Sequence, residues 1–101
     1  MNEAQKLAHI LDYFGLDHQE DKLIEEMAEL TQAIIKFRRD GYSEKGLRHL
    51  QEEMEDVRIV LDQLAIRYGR HPLIRGMKID RTIKRIEEMA SEDGNPDGVW
   101  R

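Results

Sequence analysis

The sequence predicts an all-α fold, a four-helix bundle-like domain. Three observations carry that expectation: apolar residues recur at three-and-four spacing, the alternation of a β-strand is scarce, and only two prolines interrupt 101 residues. The first helix spans about 2–14, with Leu7, Ile10, Leu11 and Phe14 on one side and Gly15 suited to its C-terminal cap. The second spans about 18–40, with Asp17 as its expected N-cap and Gly41 as its stop. Its seam is Leu23, Met27, Leu30, Ile34 and Phe37. The third spans about 44–68 behind a capping Ser43, and Gly69 follows it. Leu47, Leu50, Met54, Val57, Leu61, Leu64 and Tyr68 form its seam, an unbroken 3-4 alternation. Pro72 fits the first turn of a fourth helix over about 72–90, with Ile79, Ile83, Ile86 and Met89 or Ala90 as its apolar positions. Residues 91–101 read as a coil tail, so the expected organisation is one helical domain over 1–90 and a C-terminal tail.

A chain this short forms one domain and buries a modest share of its surface. At 40% hydrophobic and 37% charged it has little apolar material for a self-sufficient core, so a homodimer or homotetramer is expected. The absence of cysteine excludes disulfides, zinc–thiolate sites and thiol chemistry. No stretch approaches the roughly 20 apolar residues of a membrane span, and Met1-Asn2-Glu3-Ala4 lacks the basic flank of a signal peptide. The expected compartment is the cytoplasm, with no membrane partner. A net charge of −5 argues against a general nucleic-acid binder. That charge is unevenly spread: residues 17–30 hold six acids against Lys22, and residues 66–85 hold seven bases against Asp80. Two solvated helix faces explain this, and so does an acidic metal site near a basic phosphate site.

Two phrases recur 27 residues apart: Glu25-Glu26-Met27-Ala28-Glu29-Leu30 and Glu52-Glu53-Met54-Glu55-Asp56-Val57. Glu26/Glu29 and Glu53/Asp56 are three apart, so each pair shares a helix face beside its seam. A short connection at Gly41 to Ser43 makes the second and third helices antiparallel neighbours. A reversal centred on Gly41 levels Glu26 with Asp56 and Glu29 with Glu53, whereas matching the apolar seams centres it on Tyr42. In either register four carboxylates converge. Their repulsion is unfavourable without a cation, and oxygen-only ligands select magnesium or manganese over zinc. Gln19, Lys22, Glu26 and Glu29 share a polar stripe, matched by His49, Glu53, Asp56 and Gln63. A ligand groove and a solvated face both explain such stripes. His9, His18, His49 and His71 lack ligand spacing and read as surface or packing residues. Trp100, in the polar tail, is a candidate for stacking on a nucleobase or docking on a partner subunit, and simple disorder explains it equally well.

Glu-Glu-x-x-Glu followed after 23 intervening residues by Glu-x-x-Asp resembles the MazG-like all-α nucleoside triphosphate pyrophosphohydrolases, a superfamily with dimeric dUTPases and phosphoribosyl-ATP pyrophosphohydrolases. The resemblance covers roughly residues 15–90, including the basic Lys78-x-x-Arg81-x-x-x-Arg85. It implies hydrolysis of an NTP or dNTP between the α and β phosphates. Glu26, Glu29, Glu53 and Asp56 map onto the family's metal ligands, with magnesium as cofactor and manganese as the alternative. Glu25 is the candidate to orient or deprotonate water, or is a solvent-facing acid. Gln19, Lys22, Lys78, Arg81 and Arg85 are the candidate substrate contacts, although Arg85 is equally placed to pair with Glu88 or Glu92. The competing expectations are a non-catalytic helical interaction protein and a relative that binds nucleotide without turnover.

Overall fold

The computed structural model describes residues 1–93, and all four helices expected from the sequence are present: α1 (Glu3–Phe14), α2 (Leu16–Arg39), α3 (Glu44–Tyr68) and α4 (Pro72–Asp93). No strand occurs among the described residues, and no helix is long and apolar enough to cross a membrane. The fold is all-α. The chain forms two compact units, Met1–Gly69 with α1 to α3 and Arg70–Arg101 with α4. Trp100 and most of the expected coil tail lie outside the described residues. Within them, α4 continues through Ser91 to Asp93, one turn beyond the expected end at Ala90, because Ser91, Glu92 and Asp93 contain no breaker before Gly94.

Each helix begins for a local reason. Asn2 caps α1: its side chain accepts from the Gln5 amide at 2.8 Å, while the Gln5 side chain accepts from the Asn2 amide at 2.8 Å. Ser43 caps α3, accepting from the Gly46 amide at 3.1 Å. His71 Nδ1 accepts from the Ile74 amide at 3.1 Å and so serves the start of α4. The expected cap at Asp17 is corrected: α2 begins two residues earlier than expected, at Leu16, behind Gly15, and no side chain caps it. Gly15, at φ 88° and ψ 157°, ends α1 through a bond from its amide to the Leu11 carbonyl and starts α2 without an intervening loop. This conformation is accessible to glycine and strained for other residues. Asp17 contributes its charge to the first turn of α2 instead.

In the first unit α2 and α3 form an antiparallel hairpin, and α1 packs against both. The reversal uses Gly41 at φ 76° and Tyr42 at φ 61°, with the Tyr42 amide donating to the Phe37 carbonyl. The core is Leu11, Leu23, Ala33 and Val60. The expected seams are only partly inside. Leu30, Phe37, Leu50, Val57 and Leu64 are half-buried, but Met27, Ile34, Leu47, Met54, Leu61 and Tyr68 keep 41% to 62% of their surface in water. Both helices are rotated so that Gln19, Glu26 and Ala33 face Glu53, Val60 and Gln63.

Small residues near the turn suit that rotation. Ala33 is buried, and a Cβ added to Gly46 would meet the Phe37 ring at 3.0 Å and Ser43 Oγ at 3.1 Å. The backbones approach closely there, in a space that Ile34 or Leu47 would overfill. Val60→Asp places a charge in this interior and is expected to cost at least about 3 kcal/mol. Leu61→Asp, one residue on and half-exposed, is expected to cost a dissociated chain less than about 1 kcal/mol, so both variants are compared at high dilution. Urea melts of the two variants check the rotation, and equal losses would contradict it.

Candidate metal centre and substrate groove

Residues equidistant from Gly41 meet across the hairpin. Gln19 Nε2 donates to Gln63 Oε1 at 2.8 Å, and both residues are buried. One helix segment further along, carboxylate oxygens of Glu26, Glu53 and Asp56 all lie within 4.8 Å of one another. The three differ in burial: Glu26 is buried, Glu53 half-buried and Asp56 exposed. The rotation that leaves Met27 outside is what carries Glu26 into the seam rather than beside it.

Burial leaves these acids incompletely answered. Lys22 Nζ lies 3.1 Å from Glu26 Oε1 and brings a positive charge onto the cluster. His49 Nε2 stands 3.9 Å from Glu53 Oε1 and pairs with it only when protonated. Glu26 Oε2 and Glu53 Oε2 are buried without a hydrogen-bond partner. Buried carboxylate oxygens are costly when unanswered, and native structures leave few of them. An oxygen-only donor set with two orphaned buried atoms fits a hard divalent cation. Glu29, the fourth expected ligand, is half-buried beside the cluster. The negative charge of Glu26, followed by loss of solvent, raises its carboxyl above the ordinary 4.5.

The polar stripe of α2 ends at Gln19, which belongs to a buried chain of hydrogen bonds. His18 Nδ1 lies 2.8 Å from Gln19 Oε1, and Gln63 Nε2 donates to the Ile59 carbonyl at 3.2 Å. A backbone carbonyl only accepts, so it orients the Gln63 amide, then the Gln19 amide, and leaves His18 Nδ1 as the donor. The His18 ring also stacks on Phe14, with centroids 4.9 Å apart and planes 18° from parallel. These groups line a groove of about 400 Å³ whose walls include Ile10 and Phe14 of α1, Gln19 and Glu26 of α2, and Asp56 and Gln63 of α3.

Of the expected site residues, Gln19, Lys22, Glu26, Glu29, Glu53 and Asp56 come together in the first unit. Glu25 is exposed on α2, close enough to Lys22 that its charge helps to raise that ammonium's pKa after the larger effects of Glu26. Lys78, Arg81 and Arg85 are exposed on α4, in the second unit. Sequence reasoning missed Phe14 and His18 as groove residues, because an aromatic at a helix end reads as core and a lone histidine as surface. It also missed a second cavity of about 290 Å³ at the turn, lined by Lys36, Phe37, Ser43, Lys45, Gly46 and His49. A signal existed: Lys36 lies seven residues beyond Glu29, on the same helical stripe. Compared with protein families, curated proteins and solved structures, the chain matches none.

The raised carboxyl of Glu29 has a defined consequence. The folded chain holds that proton more tightly than the unfolded chain does, so the group favours folding at low pH. The contribution is lost as pH rises above 4.5 and through the raised value. Metal-free Glu29→Gln is therefore expected to melt above the wild type at about pH 7.5 and level with it at about pH 4. Calorimetric melting temperatures in a chelator check this, and a stabilisation that grows towards acid pH contradicts it.

Proposed function

We propose that this protein is a metal-dependent nucleoside triphosphate pyrophosphohydrolase, converting an NTP or dNTP to the monophosphate and pyrophosphate. The observation that carries this reading is the pair of orphaned buried oxygens, Glu26 Oε2 and Glu53 Oε2, beside a ligand-sized groove. The resemblance of the paired acidic motif to the MazG-like enzymes supports it. Glu26, Glu29, Glu53 and Asp56 would hold magnesium, with manganese as the other hard ion of suitable preference. When bound, such an ion offsets charge on phosphate oxygens and makes a bound water more acidic. The chain itself contributes positioning and electrostatics, so this reaction needs no Ser, Cys or His nucleophile. Glu25 is exposed next to Glu26, where it can accept a proton from water. Lys22 brings an ammonium to the cluster and holds Glu26 in place at 3.1 Å. Lys78, Arg81 and Arg85, exposed on α4 in the second unit, remain candidate substrate contacts of this reading, and the cytoplasm is the compartment it implies.

The test is pyrophosphate release from each common NTP and dNTP. Asp56→Asn and Glu29→Gln are expected to lower kcat by orders of magnitude, because the lost interaction acts in the transition state. Lys78→Ala and Arg81→Ala are expected to raise KM. Added magnesium is expected to raise the melting temperature of the wild type by mass action, and less so that of Glu53→Gln. Full turnover in both acid variants would retire the reading.

A second reading, a non-catalytic helical interaction protein, is favoured by the half-exposed stripe of Met27, Ile34, Leu47, Met54, Leu61 and Tyr68. A homodimer or homotetramer would cover that stripe under either reading. Sedimentation at micromolar concentration is expected to show more than a monomer, and Met54→Glu to shift it downwards. Pyrophosphate release separates the two readings.

A further inference from the structure

The hairpin face is graded from end to end. Positions equidistant from Gly41 pair as Gln19 with Gln63, Glu26 with Asp56, Glu29 with Glu53, and Ala33 with His49, and beyond them Lys36 and Lys45 stand near the turn. The end near α1 offers the buried amide pair and the stacked rings of Phe14 and His18. Lys22, which also lines that groove, is engaged with Glu26. The acids occupy the middle. The turn end is cationic, where Lys36, Lys45 and His49 line one cavity at the start of α3. The single acid lining that cavity, Asp40, stands 3.8 Å from Arg39. His49 joins the zones, since its ring lines the basic cavity and also faces Glu53 at 3.9 Å.

We propose that this gradient sets the direction in which a nucleoside triphosphate lies: nucleoside in the groove over Gln19 and Gln63, pyrophosphate end in the basic cavity on Lys36, Lys45 and His49. The inference rests on the pyrophosphohydrolase reading and deepens it. An aromatic pair beside an oriented amide chain suits a nucleobase, which stacks on one face and hydrogen-bonds at its edge. Two lysines and the positive end of a helix suit the outer phosphates. The lengths agree. Gln19 lies seven residues before Glu26, about 10 Å along α2, and His49 lies four residues before Glu53, about 6 Å along α3. Lysine side chains cover the remaining distance to the cavity. In the reaction, the oxygen of water bonds to the α phosphorus while the α–β bridging bond breaks. The bridging oxygen keeps the electron pair and leaves with pyrophosphate, and the protons of water are shared between products and solvent. Negative charge therefore grows on the group that lies towards Lys36 and Lys45, where the cations strengthen their hold as the bond breaks.

The test is titration calorimetry of the full chain with magnesium, using inorganic pyrophosphate and the common nucleoside monophosphates as separate probes. Lys36→Glu with Lys45→Glu alters two exposed side chains, and Phe14→Ala and His18→Ala alter the groove wall; circular dichroism checks that each variant folds. The lysine pair is expected to weaken pyrophosphate about tenfold or more and monophosphate by less than about twofold. The groove variants are expected to do the reverse. Equal losses, the opposite split, no loss, or no binding of either probe would each overturn the direction. Pyrophosphate release assayed in parallel separates the two readings. The expected split without turnover retires only the pyrophosphohydrolase reading, and turnover without the split retires only the direction.

Discussion

A carboxylate placed between two packed helices costs several kcal/mol unless something positive or protic answers it. Glu26 is in that position, and much of the first unit is arranged around it. Lys22 supplies one charge to one oxygen, while the second oxygen and its counterpart on Glu53 have no protein partner. Glu29 responds to the same charge with a raised pKa. The rotation of α2 and α3 that puts Glu26 inside also puts Met27 and Met54 outside. Hydrophobic packing alone would favour the opposite choice. The small residues Ala33 and Gly46 make the rotated arrangement accessible, so side-chain volume near the turn bears on where the charge lies seven residues further along each helix, about 10 Å away.

The helices were legible because their signals are local. Asn2, Ser43 and Pro72 act within one turn of where they stand, and the three-and-four spacing of Leu and Ile needs no knowledge of neighbours. The pairing of the acids was legible too, since a short turn leaves little freedom in the register of an antiparallel hairpin. The face each helix turns inward was not. A chain with apolar residues on one stripe and acids on the adjacent one permits two faces, and the periodicity of the larger residues points to the wrong one. The rotated arrangement is compatible with the close approach of Gly46 to Phe37, a contact between residues whose types give no hint of it. Asp17 failed as a cap for a related reason: Gly15 starts the helix before Asp17 is reached.

The basic end of the hairpin illustrates a different blind spot. Lys36 in the last turn of α2 reads as a charge complementing the helix dipole, and Lys45 in the first turn of α3 reads as solubility. Only the reversal at Gly41 and Tyr42 brings them to one cavity with His49. The cations that composition made conspicuous, Lys78, Arg81 and Arg85, belong to a separate unit. A count of charges along a chain locates excess, whereas convergence depends on turns.

Gly15 has a mechanical consequence. Because α1 ends and α2 begins on this one residue, no flexible segment separates them. Ile10 and Phe14 ride on α1 and form one bank of the groove. That bank can swing only as a rigid lever about a single pair of dihedrals, held where few residues other than glycine are comfortable. The width of the aperture is thus tied to one backbone joint rather than to the many small adjustments of a loop, and side chains reshaping the far bank would leave that joint untouched.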